Sequence, residues 1–101
     1  LVVRSGRGLV VITACAHPGV PKVVQRARTV ASQREVDLLI GGVHLFSYDS
    51  AQAERLAVHL RELGVRRIAP AHCTGSLARR ALSHAFGSAF LEVGAGAVLE
   101  V

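Results

Sequence analysis

The chain has 101 residues, 50% hydrophobic, 19% charged and 4% aromatic, with twelve basic against seven acidic side chains for a formal charge of +5. A chain this apolar is not disordered, one this short is a single domain over residues 1–101, and no apolar run approaches the roughly 18 residues of a membrane span. Two cysteines are too few for a disulfide framework, and no signal-peptide pattern opens the chain, which together point to a reducing cytoplasm.

Residues 1–4 and 9–13 read as two strands around a tight turn containing Gly6 and Gly8. A loop follows, Pro21 sits at the first turn of a helix, and Val20, Val23, Val24, Ala27, Val30 and Ala31 recur at helical spacing to about Gln33. Residues 36–40 are a short apolar strand ending in Gly41-Gly42. After a second loop, Asp49 or Ser50 caps a helix with the stripe Ala53, Leu56, Ala57, Leu60 and Leu63, closed by Gly64. A strand at 65–69, a third loop and a third helix through Leu77, Ala78, Ala81, Leu82 and Ala85 complete the repeat. Residues 90–93 and 97–101 then suggest a hairpin around Gly94-Ala95-Gly96.

The expected order is ββαβαβαββ, an α/β fold with a mostly parallel sheet. Strands laid down in sequence with right-handed crossovers place the helices mainly on one face. The opposite face, left apolar, then calls for a cover: a second copy of the chain or a missing half-domain.

Three of the five histidines occupy equivalent places. His17, His44 and His72 each follow a strand and lie 27 and 28 residues apart, one strand-helix repeat. The C-terminal ends of parallel strands share one edge, where open α/β sheets bind ligands. Three imidazoles converging there with an open fourth position describe a catalytic zinc or iron site. His59 and His84 lie on helices without ligand-like company and read as structural or surface residues.

Cys15 and Cys73 neighbour two of these histidines and, thiolate being a strong zinc ligand, read as candidate ligands, as supporting or substrate-binding groups, or as small buried hydrophobes. A Cys nucleophile with a His base fits the same arrangement, but no oxyanion device is legible. Thr74-Gly75-Ser76, at the start of the third helix, suits either N-capping by Thr74 or Ser76 or a small anionic substrate group near Thr74 and Gly75. Arg66, Arg67, Arg79 and Arg80 read as a solvated face. The basic residues are scattered without interleaved aromatics, so no nucleic-acid partner is assigned.

Taken together, Thr13-Ala14-Cys15-Ala16-His17-Pro18-Gly19, Gly41-Gly42-Val43-His44-Leu45 and Ala71-His72-Cys73-Thr74-Gly75 resemble the C-terminal half of metallo-β-lactamase-fold metal-dependent hydrolases. The nearest group is the one labelled dihydropteroate-synthase-like or ribofuranosylaminobenzene-phosphate-synthase-related. The resemblance runs from about Gly8 to Val101, with Ala14 standing where the group usually has Gly. It implies half of an αββα sandwich, with His17 and His72 as metal ligands and His44 on metal or substrate. The metal implied is zinc, with iron or manganese as alternatives. The fold's His-x-His-x-Asp-His motif belongs to the N-terminal half and has no counterpart among these residues.

Two functions follow as expectations. One is a truncated hydrolase-like domain, in which metal-activated water attacks an ester, amide or phosphoester once another chain or segment completes the site. The other is a catalytically inactive half-domain that self-associates as a dimer through its uncovered sheet face.

Overall fold

The turn at Gly6 and Arg7 is held by Ser5, whose hydroxyl donates to the Gly8 carbonyl at 2.9 Å and accepts the Arg7 N–H at 3.2 Å. It joins strands β1 (Val2–Ser5) and β2 (Gly8–Thr13) as an antiparallel pair in a computed structural model that describes all 101 residues. Three helices alternate with two further strands: α1 (Val20–Ala31), β3 (Val36–Gly42), α2 (Ser50–Glu62), β4 (Val65–Ala71) and α3 (Ser76–Phe86). The sheet order is β1-β2-β3-β4, with β2, β3 and β4 parallel. No helix is long and apolar enough to cross a membrane.

Helix boundaries follow local chemistry. Pro21 opens α1, where its missing N–H costs nothing. Asp49 caps α2 by accepting the Gln52 N–H at 2.7 Å, while the Gln52 side chain accepts the Asp49 N–H at 2.9 Å. Gly64 follows with φ +87°, a conformation suited to glycine at a helix end.

One core cluster joins the apolar stripes of all three helices to the same face of the sheet. Leu9, Val11, Leu39 and Ile68 meet Val24 of α1, Leu60 of α2 and Leu82 of α3. The one-sided layer expected from sequential right-handed crossovers is therefore present.

The C-terminal residues depart from expectation. Instead of a hairpin, the chain passes through a short 3₁₀ turn (Gly87–Ala89) and makes a single bridge from Phe90 to Ile68. The Leu91 N–H donates to the Ile68 carbonyl at 2.8 Å, after which the segment leaves β4. Leu91, Val93 and Leu99 pack instead, alongside Ile40, on Val10, Leu38 and Ala69 of the second sheet face. Burial of these side chains across the sheet outweighs further strand pairing along its edge. The face expected to be bare is thus covered from β2 to β4 by the chain itself. Val3 and Ile12 remain 41% and 40% exposed beyond that cover.

A register shift opposite Leu9 and Val10 places Asp37 as an extra residue in β3. The Asp37 carboxylate is buried and accepts from Arg67 Nε at 3.2 Å and a terminal guanidinium nitrogen at 2.6 Å. Arg67 also donates to the Glu100 carbonyl at 3.2 Å, tying down the end of the C-terminal cover.

Candidate metal centre

The parallel strands end level with one another: Thr13 pairs with Gly41, and Gly41 with Pro70. The loops after β2, β3 and β4 therefore leave from one edge, bringing residues 14–19, 43–49 and 72–75 side by side. Bonds between loops fix them. Thr13 Oγ1 donates to the Gly42 carbonyl at 2.8 Å, and the Leu45 N–H donates to the Cys73 carbonyl at 3.2 Å.

β3 lies between β2 and β4, so Cys15 and Cys73 follow strands that are not neighbours. The glycine pair at the end of β3 lets them meet. A Cβ at Gly41 would lie 2.0 Å from the Thr13 carbonyl oxygen, and one at Gly42 would lie 2.2 Å from the Ala14 carbonyl oxygen and 2.9 Å from Cys73 Sγ. With no side chain on the central strand's end, the outer loops close over it. Cys15 Sγ and Cys73 Sγ are 2.7 Å apart.

Backbone strain concentrates in the same loops. Ala16, His44 and His72 have φ of 45°, 53° and 50°, a left-handed conformation unfavourable for residues with a Cβ. Such residues persist where surrounding structure holds them, typically at functional sites.

The three histidines do not form a single three-imidazole cluster. Donor atoms of Cys15, His17 and His44 lie within 4.8 Å of one another, and so do those of Cys15, His72 and Cys73. Cys15 belongs to both groups, whereas His17 and His72 share neither. His17 and His72 are exposed at the rim; His44 and the two cysteines are half-buried. The His44 ring is held edge-on between His17, with centroids 4.5 Å apart, and Phe46, at 5.0 Å. His44 Nδ1 comes within 3.3 Å of Cys15 Sγ. Hydrogen bonding to the Cys73 thiol raises the Cys15 pKa above that of an ordinary cysteine, with desolvation and charge repulsion from Cys73 adding in the same direction.

Thr74 is buried, and its hydroxyl donates to the Ala71 carbonyl at 2.6 Å rather than capping α3. Gly75 holds the N-cap position with φ +81°, and a Cβ there would lie 2.7 Å from the Cα of Phe46. Its role in the structure is close packing of the second loop against the third. His59 pairs with Glu62 along α2 at 3.6 Å, and His84 is exposed on α3; neither approaches the cluster. Of the arginines read as a solvated face, Arg66 pairs with Glu35, Arg67 with Asp37 and Arg79 with Glu92.

Sequence reasoning placed the two cysteines beside the histidines, whereas the structure puts them at the junction of the cluster. The signal for this lay in Gly41-Gly42, whose missing side chains permit the contact.

No protein-family model matches the chain. The chain is 29% identical over 100 residues to the 7,8-dihydropterin-6-methyl-4-(beta-D-ribofuranosyl)-aminobenzene-5'-phosphate synthase of Methanocaldococcus jannaschii, a match covering 99% of this chain and 34% of that protein. A solved structure described as a metal-dependent hydrolase of the β-lactamase superfamily superposes with a TM-score of 0.87 at 34% identity, covering 99% of this chain and 39% of that one. The chain thus spans little more than a third of either relative. Its mixed α/β fold, with four strands and three helices, matches the β-lactamase-superfamily neighbour.

Proposed function

We propose that this chain contributes the C-terminal half of a metal-dependent hydrolase site. The observation that carries the reading is the convergence of thiol and imidazole donors from three loops at the sheet edge, within 4.8 Å in each of two groups. The fold's likeness to a metal-dependent hydrolase supports it. A donor set of sulfur and imidazole without carboxylate suits zinc, with iron as an alternative, better than manganese, magnesium or calcium.

When bound, a divalent metal would supply an activated water and polarise an ester, amide or phosphoester. His72, at the exposed rim, would hold the metal, with His17 flanking it. His44, its ring fixed between His17 and Phe46, would orient the substrate. No side chain caps α3, so its first N–H groups are free to receive a small anionic part of the substrate. A preceding segment or a partner chain would supply the remaining ligands.

The test is zinc affinity, measured by competition with a chromophoric chelator, alongside metal-dependent hydrolysis of p-nitrophenyl esters, anilides and phosphodiesters. His17→Ala and His72→Ala should each lower affinity at least about tenfold. Unchanged affinity in both variants contradicts the reading.

One observation favours a second role, an assembly module. Val3 and Ile12 form an exposed apolar strip on the second sheet face, which a second copy of the chain would bury. Light scattering that finds a monomer at all concentrations contradicts self-association.

A further inference from the structure

We propose that Cys15 and Cys73 are themselves metal ligands, forming with His72 a sulfur-rich three-ligand site for one zinc-like cation whose fourth position stays open. This deepens the hydrolase reading and rests on its metal-binding part, but not on hydrolysis.

The donor atoms of these three residues lie within 4.8 Å of one another on two loops fixed by the sheet. Tetrahedral zinc, with Zn–S of about 2.3 Å, sets two thiolate sulfurs about 3.8 Å apart. The 2.7 Å between Cys15 Sγ and Cys73 Sγ therefore needs to open by only about 1 Å. Neither sulfur sits in the dry apolar core: both cysteines are half-buried, and Cys15 Sγ touches a ring nitrogen of His44. Two small hydrophobes would not require this placement. Nor would they require the left-handed backbone at Ala16 and His72, each directly adjoining one of the cysteines. Gly42 contributes too, since its missing Cβ leaves the room that Cys73 Sγ occupies.

His17 and His44 reach only Cys15. They flank the site rather than complete it, which leaves the fourth position for water or substrate, as in catalytic zinc centres. Binding displaces one proton from each thiol to solvent, and the two thiolate charges neutralise the dication.

The experiment is cobalt(II) substitution of the whole chain, kept reduced with a phosphine. Thiolate ligation gives a near-ultraviolet sulfur-to-cobalt charge-transfer band beside visible bands of tetrahedral intensity. We expect that band in the native chain, weakened in Cys15→Ser and in Cys73→Ser and absent in the double variant. Cobalt bound without the band overturns thiolate ligation while leaving a histidine-held metal, and so the hydrolase reading, intact. No cobalt bound overturns both. A second measurement needs no variant: zinc should slow maleimide labelling of both cysteines at least about tenfold in the native chain, with a chelator restoring the rate. Labelling indifferent to zinc overturns the proposal.

Discussion

Gly42 and Cys73 stand so close that a Cβ on the glycine would lie 2.9 Å from the cysteine sulfur and 2.2 Å from the Ala14 carbonyl oxygen. The end of the central parallel strand is therefore a saddle over which the outer loops meet, and the cluster exists because nothing projects from it.

Gly42→Ala should cost about 2 kcal/mol by overpacking a fixed backbone. In a chain of this size that lowers Tm by about 10 °C. The same variant should weaken zinc binding, because Cys73 Sγ is displaced. Gly6→Ala is the control: a Cβ there meets nothing within 4 Å, so Tm should hardly move. Equal melting of the native and Gly42→Ala chains contradicts the account of the saddle.

Asp37→Ala leaves the Arg67 guanidinium without its carboxylate. The Asp37 side chain is 5% exposed and that of Arg67 22%, so the pair is largely desolvated. Removing one partner of a fully buried pair costs about 3–5 kcal/mol; partial exposure of Arg67 and its bond to the Glu100 carbonyl reduce the expectation to about 2 kcal/mol. Urea denaturation should show this loss, and substituting both residues with leucine should recover part of it. A change below about 0.5 kcal/mol, typical of surface positions, contradicts it.

The C-terminal cover is testable with one charge. Leu91→Asp puts a carboxylate against the cluster of Val10, Leu38 and Ala69, and should release the segment and raise binding of a hydrophobic dye. Val98→Asp is the matched control, because Val98 is 89% exposed. Equal dye binding by the two variants means that the segment does not protect this face.

The metal-free thiols give a pH prediction. Because the folded chain raises the Cys15 pKa, it holds that proton more tightly than the unfolded chain does. The stability this confers is fully present below the unfolded thiol's pKa and is lost as pH rises from there through the folded value. Titration followed by thiolate absorbance, with chelator and reductant present, should place Cys15 above an ordinary cysteine. Cys73→Ala should bring it back down, since hydrogen bonding to Cys73 is the largest cause. Ionisation at or below the ordinary value contradicts this.

The strand-loop-helix repeat was legible because its apolar residues keep their period, and the common edge of His17, His44 and His72 followed from parallel strands alone. What escaped was side-chain geometry across the chain. Cys15 and Cys73 are 58 residues apart and follow non-adjacent strands, so their contact depends on the close approach over Gly42. Asp37, inside an apolar strand, gave no sign of the register shift that aims it at Arg67. The residues from Phe90 onward have strand-like alternation, but that pattern serves packing across the sheet as well as pairing along it, and here packing prevailed. Thr74 suited a helix cap by type; its hydroxyl turns inward to the Ala71 carbonyl instead.

The central claim is that the three loops at the sheet edge hold a transition metal. Elemental analysis of the purified, untagged and reduced chain after dialysis against zinc tests it most directly. The account predicts about one ion per chain, as for a mononuclear three-ligand site, falling sharply in the Cys15→Ser, Cys73→Ser double variant and in His72→Ala. A chain that retains no zinc, or retains it equally in all three proteins, contradicts it.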